Sequence, residues 1–110
     1  MLYLIIYDIS NNAIRARLAE LLKDYGLERV QYSAFLGELK RHQLKSLITD
    51  IKKILITLPF SNDERVRNVQ IYPIPQYSNK NKIEISFEGN KLTISYGEQK
   101  KKDKVVISYQ

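Results

Sequence analysis

The sequence predicts an α+β fold, an antiparallel sheet with two helices on one face and additional strands toward the C terminus. Three observations lead there. Leu2 to Tyr7 is an unbroken apolar run, the mark of a strand buried on both faces. Two segments with apolar residues at helical spacing alternate with segments rich in β-branched and aromatic residues. Strict two-residue alternation then flanks Gly89-Asn90, a hairpin turn signal.

The first strand is expected to end at Asp8, and Ser10, Asn11 or Asn12 can cap the helix beyond it. From Ala13 to Tyr25, Ile14, Leu18, Leu21, Leu22 and Tyr25 fall on one helical stripe, and Gly26 ends it. Arg29 to Leu39, RVQYSAFLGEL, reads as one bent strand or two short paired strands broken near Ser33. His42 to Leu58 is a second amphipathic helix, stopped by Pro59. Ser61 to Arg67 is a polar loop, and Val69 to Ile74 a strand ended by Pro73 and Pro75. Ile83, Ile85 and Phe87 alternate with Glu84, Ser86 and Glu88 before the turn, and Leu92, Ile94 and Tyr96 alternate after it. Val105 to Tyr109 is one more strand, beyond the charged run Lys100 to Lys104. The order is that of the ferredoxin-like βαββαβ sandwich. A single domain is expected, with its core at about residues 1–75 and a strand extension at about 83–110 at a dimer interface.

At 110 residues the chain can bury roughly 65% of its unfolded surface. With 44% hydrophobic residues it is a folding sequence, not a disordered one. There is no cysteine, which excludes disulfides, thiolate zinc sites and cysteine nucleophiles. No apolar run approaches the ~20 residues a membrane helix needs, and no basic stretch precedes the first one. A cytoplasmic protein with no membrane partner is expected.

The net charge of +6 favours an anionic partner, nucleic acid above all. Residues 1–60 carry nine positive and six negative charges, and residues 61–110 the same, so no basic arm exists. Any basic surface has to be assembled by folding or dimerisation.

Two helices cover one face of the sheet. The first strand, however, is apolar on both, with Tyr3, Ile5 and Tyr7 on one side and Leu2, Leu4 and Ile6 on the other. A homodimer packed sheet to sheet is the simplest cover for the second face.

Asp8 lies on the Leu2, Leu4, Ile6 face by alternation. It can hydrogen-bond the Ser10-Asn11-Asn12 turn, or serve as a hard oxygen ligand for Mg²⁺ or Mn²⁺. One carboxylate per chain is a poor site, but a two-fold dimer brings two copies of Asp8 toward one axis. Tyr7 and Tyr32 can stack on bases or pack in the core. Arg15, Arg17 and Arg29 can contact phosphates, although Arg15 and Arg17, two apart on a helix, point in different directions. His42 is the only histidine, and a histidine-dependent nuclease or zinc site needs more. No GxxxxGK[ST], GxGxxG or GxSxG occurs, so nucleotide hydrolysis and α/β-hydrolase chemistry lack support.

The opening MLYLIIYDIS, followed by IRARLAELLKDYGLERVQYSAF, closely resembles the small CRISPR-associated spacer-acquisition proteins described as endoribonucleases. Residues 1–39 carry most of the likeness. The second helix, DER at 63–65, QIYPI and IEISFEG extend it, and what is specific is the combination of the strand-ending YDI, the paired arginines of the first helix and G-x-x-R-V-Q-Y-S-x-F from Gly26 to Phe35. The resemblance implies a ferredoxin-like homodimer, with the fifth strand often completing the partner's sheet. It also implies a Mg²⁺-dependent nuclease in some members, acting on single-stranded RNA or double-stranded DNA. On matching positions Asp8 is the metal ligand and catalytic residue, and Tyr7, Arg15, Arg17, Arg29 and Phe35 are linked to activity or site architecture. It further implies a scaffold role holding DNA between CRISPR integrase subunits. The tail KLTISYGEQKKKDKVVISYQ goes beyond many short members.

Three readings are open at this point. The first is a Mg²⁺-dependent endoribonuclease. The second is a non-catalytic duplex-DNA adaptor in spacer integration. The third is an unrelated RNA-recognition module, which ranks last because QYSAFLGEL lacks the K/R-G-F/Y-G/A-F-V-x-F/Y pattern.

Overall fold

The computed structural model describes residues 1–97 and the backbone of 105–108. In order, it contains β1 (Leu2–Ile9), α1 (Asn12–Asp24), β2 (Glu28–Gln31), β3 (Ala34–Glu38), α2 (Arg41–Leu55), β4 (Arg67–Ile74), α3 (Gln76–Lys80), β5 (Ile83–Glu88), β6 (Lys91–Tyr96) and β7 (Val105–Ser108). The chain divides into two compact units, Met1–Pro73 and Ile74–Gln110.

The first unit has the expected βαββαβ order around a sheet of strand order β2-β3-β1-β4. β1 pairs antiparallel with β3, with Ile5 opposite Phe35 and Leu4 opposite Leu36. This register sorts side chains by face. Ile5, Tyr7, Ile9 and Phe35 are buried in one core with Ile14, Leu18 and Leu22 of α1 and Leu47, Ile51 and Ile54 of α2. Leu2, Leu4, Ile6 and Asp8 take the other face, beside Ala34 and Leu36. Ile6 is 38% exposed there, so the second apolar face expected from β1 is present and uncovered within this unit.

The arginine-tyrosine stretch resolves into two strands. Tyr32 and Ser33 form the turn between β2 and β3, with a register shift between Arg29 and Gln31. Asn11 is the N-cap of α1 and accepts from the Ile14 N–H at 2.9 Å. The helix closes with Gly26 N–H donating to Lys23 O and Leu27 N–H to Leu22 O, which requires a left-handed residue at Gly26 (φ 86°).

Three boundaries and one element differ from expectation. β1 runs through Asp8 to Ile9, because Ile9 still buries its side chain in the core. α2 stops at Leu55 instead of Leu58, leaving Ile56 80% exposed. Two causes act: Leu58 precedes a proline, which disfavours helix, and the Arg67 guanidinium takes the Leu55 and Leu58 carbonyls. β4 begins at Arg67 and keeps Pro73 inside it, tolerated because β4 is an edge strand. The short helix α3 is not among the elements expected from the sequence.

In the second unit β5, β6 and β7 form an antiparallel sheet. Gly89 (φ 57°) and Asn90 (φ 64°) both occupy the left-handed region, as a two-residue hairpin turn demands. Ile83, Ile85 and Phe87 share a face with Leu92, Ile94 and Tyr96 through direct cross-strand pairing. The expected strand end at Tyr109 and the run Lys100 to Lys104 lie outside the described residues.

Candidate nucleic-acid interface

The C-terminal end of β1 organises the surroundings of the candidate residues. Ser10 Oγ accepts from the Arg65 and Val66 N–H groups and donates to Val66 O, tying the 61–66 loop to the strand end. Arg67 holds the base of that loop. Its Nε donates to Glu64 Oε2 at 2.7 Å and its Nη2 to Glu64 Oε1 at 2.7 Å, with both side chains under 10% exposed. Its Nη1 donates to Leu55 O (2.6 Å) and Leu58 O (2.7 Å), and its Nη2 also to Pro59 O (3.1 Å).

The bidentate bond from Arg67 holds the Glu64 carboxyl down at about 2, against the opposing effect of burial and with help from the Ser61 N–H. A carboxyl lowered in the folded state from about 4.5 contributes stability that is complete above that value. The contribution is lost as pH falls toward 2. Acid titration of the melting temperature between pH 5 and 2 is therefore expected to be shallower in Glu64→Gln than in the parent. Equal slopes would show that the pair does not stabilise the fold.

Asp8 sits exposed on the open sheet face, one residue before the strand ends. Among the described residues it makes no hydrogen bond or ion pair, and Asn11 and Ser10 do the turn-stabilising work open to it from sequence. Its carboxylate is thus free to bind a ligand. Among the described residues no three His, Cys, Asp or Glu side chains gather to hold a metal. Within one chain the donor set is one carboxylate. That suits Mg²⁺, which takes one or two carboxylates together with substrate phosphates, only as part of a site.

The other candidates gather on the helix side of the sheet. Phe35 is fully buried and stacks on Tyr7 at a centroid distance of 6.3 Å. Tyr7 is 3% exposed, so its ring is closed to a base, and of the two tyrosines considered for stacking only Tyr32, 69% exposed, presents one. Arg29 lies 5.1 Å above the Phe35 ring and 5.8 Å from the Tyr32 ring, and its Nη2 reaches the Tyr7 hydroxyl at 3.5 Å. Arg15 faces the same Tyr32 ring at 5.9 Å. Its Nη1 donates to Ile9 O at 2.8 Å and its Nη2 to Asn12 Oδ1. Arg15 thus converges with Arg29 and Tyr32 from a different element, far from them in sequence. Arg17 is exposed and takes no part. His42 is exposed near the start of α2.

Tyr7, Arg15, Arg29 and Tyr32 rim a groove of about 330 Å³ between α1 and the β2–β3 turn. Asn12, Ala16, Ala19, Glu20 and Lys23 complete its α1 wall, and sequence reasoning missed all five. Asn12, Ala16, Ala19 and Lys23 follow one another at three or four residues, with Glu20 four beyond Ala16, a readable signal of one helix face.

The comparisons agree with this geometry. The family model described as CRISPR associated protein Cas2 matches residues 1–82. A CRISPR-associated endoribonuclease Cas2 of Archaeoglobus fulgidus is 41% identical over 97 residues, covering 88% of this chain and 96% of its own. A Mycobacterium tuberculosis protein of the same description is 40% identical over 74 residues, covering 67% of this chain and 58% of its own. A Thermoproteus tenax protein described as a Cas1/Cas2 endonuclease fusion is 43% identical over 47 residues, covering 43% of this chain and 18% of its own. Among solved structures, a hypothetical protein of Thermus thermophilus aligns with TM-score 0.55 at 35% identity, covering 67% of this chain and 80% of that one. A structure described as cas2 aligns with TM-score 0.51 at 35% identity, covering 66% and 71%. With the family match over residues 1–82 and a relative at 41% identity across most of both chains, the chain belongs to the Cas2 family of CRISPR-associated proteins.

Proposed function

We propose that the protein is a Mg²⁺-dependent endoribonuclease acting in CRISPR spacer acquisition, with a homodimer as its working form. The observation that carries this reading is Asp8, a free carboxylate standing at the edge of an uncovered apolar sheet face. Leu4, Ile6, Ala34 and Leu36 form that face, and a second copy packed against it brings two Asp8 side chains toward a common axis. Pairing of β5 with the partner's β4 would extend both sheets, since each of these strands stands last in its own sheet.

In such a dimer the two Asp8 carboxylates, together with a substrate phosphate, are the groups that would hold the ion. Bound Mg²⁺ would supply activated water and neutralise charge on the phosphodiester. The chain's own residues do the rest. The loop held by Ser10 and Arg67 fixes the strand end that carries Asp8. Arg15 and Arg29, on the helix side of the sheet, would offer guanidinium N–H groups to the RNA backbone away from the scissile phosphate, and Phe35 and Tyr7 form the platform under Arg29.

The name endoribonuclease, borne by the Archaeoglobus fulgidus relative, supports RNA as substrate. The fusion of Cas1 and Cas2 named in the Thermoproteus tenax relative supports a second reading, a duplex-DNA adaptor working beside an integrase subunit. The exposed side of α2 suits that role, carrying Arg41, Lys45, Lys52 and Lys53.

Labelled single-stranded RNA and duplex DNA, incubated with the purified protein in Mg²⁺ or EDTA, separate the readings. RNA cleavage in Mg²⁺ alone is the expected result. Duplex binding that weakens steeply with salt, with no cleavage of either nucleic acid, would establish the adaptor instead.

A further inference from the structure

The groove beside α1 has a composition that phosphate binding alone does not explain. Arg15, Lys23 and Arg29 face one carboxylate, Glu20, leaving a surplus of two positive charges that suits a phosphate monoester. Its floor is apolar where the methyl groups of Ala16 and Ala19 lie, and the exposed Tyr32 ring stands over its rim. The volume of about 330 Å³ is at the small end for ligand sites, enough for one nucleotide but not a duplex. Among the described residues neither the Glu20 nor the Lys23 side chain has a hydrogen-bond or ion-pair partner.

A carboxylate in a phosphate-binding groove is unfavourable unless the ligand also brings donors. We propose that the groove is a nucleotide site selective for guanine, the phosphate meeting Arg15 and Arg29 while Glu20 and Lys23 read the base. Guanine alone presents one acceptor, O6, beside two adjacent donors, N1–H and N2–H. Lys23 donates to O6, and the two Glu20 oxygens accept from N1–H and N2–H. Adenine and cytosine each offer a single amino donor beside an acceptor, and uracil one N–H between two acceptors. Arg15 and Glu20 are five residues apart, about 7.5 Å along the helix axis and about 140° around it, so they flank the groove's α1 wall from two sides. Arg15 is already oriented by Ile9 O and Asn12 Oδ1, with N–H groups left for phosphate. The nucleotide can be free or the phosphorylated end of an RNA strand, since both present the same chemistry.

The inference goes beyond cleavage at Asp8, which projects from the opposite face of the sheet. Calorimetric titration of the full-length protein in EDTA, with 5′-GMP, AMP, CMP and UMP and with short 5′-phosphorylated RNAs starting in each base, tests it without metal. Guanine is expected to be preferred about tenfold or more over every other base, a ratio reasonable for hydrogen bonds to charged groups. Glu20→Ala should erase that preference and leave UMP binding no weaker than before, since the repulsion between its phosphate and the carboxylate is removed. Glu20 is exposed and helical, and alanine favours a helix, so this variant folds. A preference seen only with the RNAs identifies a strand-end site, and one seen with GMP as well identifies a free-nucleotide site. Equal affinity for all four bases, or a guanine preference that survives Glu20→Ala, overturns the proposal. Repeating the titration in Asp8→Ala protein keeps its fate apart from that of the nuclease reading.

Discussion

Asp8→Ala protein is expected to bind RNA as the parent does and to cleave it about 100-fold more slowly or worse, the scale seen when one electrostatic partner of a reacting group is removed. The carboxylate is exposed and makes no bond within the described residues, so its loss leaves the fold untouched. Surface changes of this kind shift stability by about 0.5 kcal/mol or less. Asp8→Asn keeps the shape and removes the charge, and should lose nearly as much activity because a neutral amide is a weak ligand for a hard cation. Initial cleavage rates in Mg²⁺, paired with fluorescence anisotropy for binding, give the comparison. Undiminished cleavage in both variants would remove Asp8 from the reaction and reduce the uncovered sheet face to an assembly surface.

Phe35→Ala is expected to cost the fold about 3–5 kcal/mol, the usual range for truncating a buried phenylalanine. Its side chain is fully buried, contacts the Tyr7 ring and lies under the Arg29 guanidinium. A loss of that size lowers the melting temperature by more than about 10 °C in a domain this small. Phe35→Leu fills much of the volume and should restore most of the stability, but not the ring beneath Arg29. Thermal unfolding followed by circular dichroism measures both. If nucleic-acid affinity falls in the leucine variant while melting recovers, the aromatic platform has a part in binding beyond packing.

Local periodicity made β1, α1 and the β5–β6 hairpin legible, since each declares its own burial or turn. Ile14, Leu18 and Leu22 repeat at helical spacing, and Gly89-Asn90 is a turn by backbone preference alone. The end of α2 was not legible, because it depends on Arg67 arriving from twelve residues beyond Leu55 to take its carbonyl. α3 spans five residues and buries none of them, so no periodic pattern could announce it. At the site, alternation put Asp8 on the Leu2, Leu4, Ile6 face and Tyr7 on the other, but with both faces apolar it could not show which one the helices would cover and so bury Tyr7. Nor could it bring Arg15 to Tyr32 and Arg29. That meeting needs the β2 register shift and the turn that lifts Tyr32 outward.

The guanidinium of Arg67 donates to both oxygens of Glu64 and to the carbonyls of Leu55, Leu58 and Pro59. Lysine offers three donors from a single point and cannot reproduce that fork. Exchange between the two basic residue types should therefore be neutral at solvent-facing Arg17 and damaging at Arg67, although both count equally toward the +6 of the chain. A polyanion approaching the molecule meets a charge pattern in which this cation is already neutralised by its glutamate.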